Sequence, residues 1–285
     1  MNIELECIPC FARQAAEAVA ETVSEPARRE PLLRQLLRDL AGADWGGSPP
    51  VLGQRIHRRL RESLGIADPY AAVKDRMNRA AAALLPAVRQ RMAGELDPFV
   101  AAVRWAIGGN LLDAGAKTGI AAEELPARVE SVWNAPISGD PAALRRAAEA
   151  AHSIVYLADN AGEIYFDRLL IEALPTEKIT VFVRGSPVIN DATLADAETA
   201  GLTEIVPVFA NGSDAPGTVL TDRSAELREW MERSDLVIAK GQGNYETLSE
   251  YDRHIFFLLT VKCPVIARHI GEPVGRLVLR EQGAP

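Results

Sequence analysis

This chain is short of cysteine, histidine and aromatic residues. Its 285 residues hold 3 cysteines and 4 histidines, and Phe, Trp and Tyr together make up 6%. So few cysteines exclude a disulfide-stapled scaffold, and 21 glycines with 18 prolines exclude a collagen-like chain. No apolar run approaches the roughly 18 residues that a membrane-spanning helix needs. Residues Met1 to Glu6 are acidic and lack the apolar stretch of a secretory signal, so the expected location is the cytoplasm, where thiols stay reduced. Cations are also in deficit, with 31 Lys and Arg against 39 Asp and Glu and a net charge of −8. Such a chain is a poor general binder of phosphate backbones. Neither nucleic acid nor a membrane is an expected partner, although a local basic pocket stays compatible with an acidic whole.

What is present is an ordinary globular composition, 48% hydrophobic and 25% charged. The length suits about two domains, and the character of the chain changes near residue 150. Before it, apolar residues recur with helical spacing: Phe11, Ala15, Ala18, Val19 and Val23, then Leu32, Leu33, Leu36, Leu37 and Leu40. Further helices are expected over Ala71 to Met92 and over Pro98 to Lys117, the latter started by Asp97 as N-cap with Pro98 in the first turn. Residues 1–150 therefore read as a helical N-terminal domain or cap.

From Ser153 onward, short apolar runs alternate with helical segments. The expected strands are Ser153 to Ala158, Thr180 to Val183, Ile205 to Phe209, Leu236 to Ala239, Ile255 to Leu259 and Val265 to Ala267, with Glu281 to Pro285 as a frayed tail. This alternation predicts an α/β fold over residues 151–285: a Rossmann-like, three-layer α/β/α domain with a mostly parallel sheet.

Ligands in such sheets bind beyond the carboxyl ends of the strands, and the residues at those ends are chemically specific. Asp159, Asn160 and Glu163 follow the first strand, Arg184, Asn190 and Asp191 the second, and Asn211 to Asp214 the third. Lys240-Gly241-Gln242-Gly243-Asn244 follows the fourth and Lys262 the fifth. Asp159, Asn160 and Asp191 are hard oxygen ligands suited to Mg²⁺ or Mn²⁺. Arg184, Lys240 and Lys262 are cations able to offset a phosphate, and backbone N–H groups of Gly241 to Asn244 suit an anion at a helix start. Lys240 is expected to extend past the glycines over that anion, and Asp191 to sit on a polar loop outside the core. Metal plus anion pocket points to phosphoryl chemistry. The plainer alternative makes Asp159 and Asp191 helix N-caps. Gly108-Gly109 inside a helical pattern suggests either close approach of another segment or a helix break. Cys7-Ile8-Pro9-Cys10 is a single C-x-x-C, too few ligands for a structural zinc by itself, and open to packing, metal or redox roles.

Several of these segments together resemble one family. They are Glu6 to Cys10, Gly109-Asn110-Leu111-Leu112-Asp113, Asp159-Asn160-Ala161-Gly162-Glu163, Arg184 to Thr193, Gly212 to Thr218, Lys240 to Glu246 and Lys262-Cys263-Pro264. They occur in order and resemble the ARMT-like damage-control phosphatases, also called domain of unknown function eighty-nine, in their short prokaryotic form with an N-terminal C-x-x-C. The resemblance implies a divalent metal (Mn, Mg, Co or Ni) held by Asp159, Asn160 and Asp191. It also implies a phosphate site lined by Lys240, Gly241, Gln242, Gly243 and Asn244, with Lys262 matching a later lysine. The implied activity is hydrolysis of a phosphate ester of a small, often damaged, metabolite such as a sugar phosphate or phosphorylated cofactor.

On this reading Asp159, Lys240 and Lys262 are catalytic, and a metal-activated water is the expected nucleophile. Asn110, Asp113, Glu163, Arg184 and the Gly241 to Asn244 segment contact the metabolite. Two rival readings are a non-hydrolytic Rossmann-type nucleotide or cofactor binder and a thiol-based metal or redox protein using Cys7 and Cys10. The first is disfavoured because Asp159-Asn160 stands where a dinucleotide site would place its glycine fingerprint.

Overall fold

The computed structural model describes residues 1–109 and 125–284. The elements flanking the site begin with four helices: α1 (Cys7–Thr22), α2 (Pro26–Ala41), α3 (Pro49–Leu64) and α4 (Ala71–Met92). Then come α5 (Pro98–Gly108), α6 (Leu125–Asn134), β1 (Ile137–Ser138) and α7 (Pro141–Ala150). The alternating part follows: β2 (Ile154–Leu157), α8 (Glu163–Glu172), β3 (Ile179–Val183), α9 (Leu194–Thr199), β4 (Val208–Ala210), α10 (Ala225–Arg233), β5 (Leu236–Lys240), α11 (Gly241–Leu248), β6 (Ile255–Thr260), α12 (Pro264–Ile270) and β7 (Leu277–Gln282).

The strands form one sheet in the order β1-β7-β6-β5-β2-β3-β4. All neighbours pair parallel except β6 with β7. Strands buried on both faces must send alternate side chains into two cores, and these do. Ile154 and Tyr156 of β2 join Ile238 of β5 and Phe256 of β6 under α5, α7 and α8. Val155 and Leu157 join Val237, Ala239 and Phe257 under α10, α11 and α12. A third core lies among the first helices, where Phe11, Leu36, Leu52, Ile56 and Leu60 meet. Helix α4 serves two cores, with Val73 and Met77 in the third and Ala81 and Val88 in the first.

The three-layer architecture and mostly parallel sheet are those expected. Residues 137–150, N-terminal to the expected change of character, already supply an edge strand and a covering helix to the sheet. Val265 to Ala267 is not a strand. It lies in α12, which starts at Pro264 after Cys263 and stops at a left-handed Gly271; a three-residue apolar run has no period of its own, and its flanking proline and glycine are helix signals. The expected frayed tail begins inside β7, which pairs antiparallel with β6 and shields it. Asp97 caps α5 as read, accepting from the Phe99 N–H. A Cβ at Gly109 would come within 2.6 Å of Phe166 and one at Gly108 within 2.5 Å of Val132. The glycine pair thus permits close approach to α8 and α6. No helix among the described residues is long and apolar enough to cross a membrane.

The first helices are tied to the sheet by charge. Arg58, Arg61 and Gln54 of α3 all donate to Asp214 in the loop after β4. Burial would raise the Asp214 carboxyl, but these donors outweigh it and hold it far below its ordinary 3.8. A depressed carboxyl stabilises the fold above the unfolded-state value and loses that contribution as pH falls. The latch is therefore complete above about pH 4 and weakens below it. Asp214→Asn is expected to lower the melting temperature at pH 7 and to reduce the further fall between pH 7 and pH 3. Calorimetry at the two pH values checks this, and an unchanged acid limb would count against the latch.

Candidate active site

Chain order reverses direction at β2. From β2 the chain moves outward through β3 to β4, then returns to β5 on β2's other side. A crevice opens at such a switch point, beyond the carboxyl ends of the two flanking strands. Here those ends are Asp159-Asn160 after β2 and Lys240-Gly241, the last residue of β5 and the one that follows it. A cleft of about 870 Å³ lies there, within the size range of small-ligand pockets. Its sheet side carries Asp159, Asn160, Asp191, Gln242, Gly243 and Lys262; its other wall comes from α1 and α3.

Neither aspartate is a helix cap. Thr193 caps α9 in a reciprocal box with Asp196, and Gly162 occupies the cap of α8. The loops are instead held from α4: the Asn78 Nδ2 donates to Asp196 at 2.9 Å, and its Oδ1 accepts from the Gly162 N–H at 2.7 Å. Asn160 and Asp191 meet in a backbone bridge, which joins the loops after β2 and β3. Asp191 is not a solvated loop residue. It is 3% exposed, and its Oδ2 accepts from Arg184 Nε at 2.6 Å. The same guanidinium lies 3.6 Å from Asp159 Oδ1. Arg184 thus sits behind the cleft and braces two carboxylates.

Lys240 does not line the cleft. It is fully buried, with Nζ 2.6 Å from Glu163 Oε1 and 2.5 Å from Asp167 Oδ1. Burial would favour loss of its proton, but the two carboxylates outweigh it and keep the ammonium charged. Both come from the first turns of α8, which packs beneath β5. Asp167 is missing from the sequence reading, although its spacing of four from Glu163 puts both on one helix face. Asn244 is also buried: its Nδ2 donates to Lys240 O at 2.8 Å and its Oδ1 accepts from Thr218 Oγ1 at 2.8 Å. It fastens α11 to its surroundings behind the cleft.

Gly241 has φ +81, and a Cβ there would lie 2.0 Å from Asp159 Oδ2. Only glycine lets β5 end against that carboxylate. Gln242 accepts from the Lys262 N–H through Oε1 and donates to Glu246 at 2.8 Å. Glu246, a cleft residue that the sequence placed at this strand end without a role, is pushed up to about 7, chiefly by burial. All three thiols, Cys7, Cys10 and Cys263, are free and line this same cleft. Asn110 and Asp113 lie outside the described residues.

The charge inventory favours a divalent cation. Four buried carboxylates, Asp159, Glu163, Asp167 and Asp191, face two buried cations, Arg184 and Lys240. Burial first, then repulsion from Glu163 and Asp191, pushes the Asp159 carboxyl upward against the pull of Lys262 and Arg184, and a cation bound there would reverse that push. Among the described residues no three His, Cys, Asp or Glu side chains form a ready-made cage. Two carboxylates and an amide oxygen would leave coordination positions to water and substrate oxygens, as hard divalent cations commonly do.

Comparison with known proteins agrees with this architecture. A family model described as the damage-control phosphatase ARMT1-like domain matches residues 3–278. A damage-control phosphatase of Archaeoglobus fulgidus is 40% identical over 80% of this chain and 81% of its own length. One of Pyrococcus horikoshii is 34% identical over 98% of this chain and 97% of its own. A crystal structure of a DUF89 family protein from Pyrococcus horikoshii superposes with a TM-score of 0.90 at 33% identity, covering 99% of both chains.

Proposed function

Because the chain belongs to the damage-control phosphatase ARMT1-like family, we propose that it is a metal-dependent phosphatase of a small phosphorylated metabolite. The observation that carries this reading is the meeting of two buried carboxylates, Asp159 and Asp191, with the amide of Asn160 at the switch point, on one wall of the cleft that Lys262 also lines. These three residues would hold a divalent cation. When bound, such an ion supplies Lewis-acid charge to a phosphoryl group and a template for in-line attack by water.

The chain's own residues do the rest. Lys262, exposed at the cleft, offsets phosphate charge. Arg184 holds Asp159 and Asp191 at a fixed spacing from behind. Gln242 and Gly243, at the start of α11, offer backbone N–H groups to the phosphate. The wall from α1 and α3 carries the apolar Pro9, Phe11, Pro49 and Pro50 beside Arg13 and Gln14, and receives the metabolite body. Glu246 remains partly protonated near neutrality and is a proton donor for the leaving oxygen.

A phosphate-release screen over sugar phosphates, nucleotides and phosphorylated cofactors tests the reading, with Mn²⁺, Mg²⁺, Co²⁺ and Ni²⁺ each compared with EDTA. Release with at least one metal and none in EDTA is expected. Tight nucleotide binding without hydrolysis, or release undiminished by EDTA, would contradict it.

A further inference from the structure

A chain of buried contacts runs from β5 to the candidate metal site. Lys240 Nζ meets Glu163 Oε1 at 2.6 Å, and the other Glu163 oxygen accepts from Asn160 Nδ2 at 3.0 Å. That same Nδ2 donates to Asp159 Oδ2 at 2.7 Å. All four residues are buried. We propose that the Lys240–Glu163 ion pair is a positioning device for Asn160, fixing which end of its amide is presented to a cation.

An asparagine side chain has two ends of nearly equal shape and opposite chemistry. Only the oxygen ligates a hard cation; the NH₂ end repels it. A half-turn about the last side-chain bond exchanges them, so a useful ligand needs its orientation fixed. Ionised carboxylates accept and do not donate. With Oε2 of Glu163, the carboxylate paired with the Lys240 ammonium, against one end of the amide, that end is NH₂ and the other end is oxygen. Glu163 can hold this place in the interior only while its charge is compensated, and Lys240 supplies the compensation. The strand ends that flank the crevice are thereby joined through side chains.

Asp167 provides an internal control. It lies on the far side of Lys240, braced by the Tyr156 hydroxyl at 2.8 Å. It stabilises the ammonium but is not on the path to Asn160.

The inference rests on the metal reading above, and the test separates the two. Mn²⁺ is titrated calorimetrically into the full chain, with melting temperatures measured in parallel. Glu163→Gln has one oxygen to serve both Lys240 and Asn160, so a donor must oppose a donor on one side. Its Mn²⁺ affinity is expected to fall about 10- to 100-fold. Asp167→Asn is expected to lower the melting temperature at least as much while keeping affinity within about threefold of the original chain. Should Glu163→Gln not fold, the double variant Lys240→Met with Asp167→Asn carries the test: it removes one charge of each sign, leaves Glu163 without its cation and is expected to lose affinity by the same factor. A loss below about tenfold in the folded test variant overturns the positioning role. So do equal losses in Glu163→Gln and Asp167→Asn, which would mark a general stability effect. If the original chain takes up no Mn²⁺, the metal reading itself falls, and the positioning role falls with it.

Discussion

Asp191→Ala is expected to abolish phosphatase turnover and to lower the melting temperature in the same variant. Turnover should fall by about 100-fold or more, because partners that only support a metal ligand already cost 10- to 100-fold. The stability loss has a separate cause. Asp191 is the 2.6 Å partner of Arg184, which is 1% exposed. Removing it leaves a buried guanidinium facing Asp159 at 3.6 Å, and breaking a buried pair costs about 3–5 kcal/mol. Asp191→Asn separates the two effects. It keeps an oxygen for Arg184 and fills the same volume, so it should recover much of the melting temperature while the loss of turnover persists. A cap role would cost about 0.5–2 kcal/mol and spare turnover, but α9 takes its cap from Thr193. Normal turnover in Asp191→Ala would remove Asp191 from the site.

Lys240→Met is expected to act on stability as strongly as Asp191→Ala. The substitution keeps most of the stem's apolar area but leaves Glu163 and Asp167 buried beside a thioether. Uncompensated buried charge costs about 3–5 kcal/mol, which corresponds to a fall of roughly 6–20 °C in melting temperature for a chain of this size class. A surface lysine, or one whose ammonium lies over a substrate phosphate in the cleft, would change the melting temperature by only a degree or two. Differential scanning calorimetry of the variant decides between these pictures. Lys262→Met is the matching control: it is exposed at the cleft, so it should leave the melting temperature nearly unchanged and weaken substrate handling instead.

The contrast between these two lysines shows where sequence reasoning stops. Strand ends were readable because β2, β3, β5 and β6 are apolar runs closed by polar, glycine-containing turns, and the location of the crevice follows from that order. Asp159, Asn160, Asp191 and Lys262 do meet at it. Which way a side chain turns at a strand end was not readable. The strand expected to end at Ala239 runs on through Lys240, which puts this lysine on the face of Leu236 and Ile238, towards α8, while Asp159, one register step further along, meets the cleft. Asp167 becomes visible as the partner of Lys240 only once α8 is packed against that face. Burial of Asp191 likewise depends on Arg184 folding back across seven residues. Helix α12 and strand β7 were missed for a different reason: short runs near a chain end carry too few residues for a period to show.

Anomalous diffraction from crystals of the original chain grown with Mn²⁺ tests the central claim most directly. The account predicts one strong manganese peak bounded by a carboxylate oxygen of Asp159, the amide oxygen of Asn160 and a carboxylate oxygen of Asp191. A manganese peak elsewhere in the cleft, for instance beside Cys7, Cys10 and Cys263, with none between Asp159 and Asp191, would contradict it.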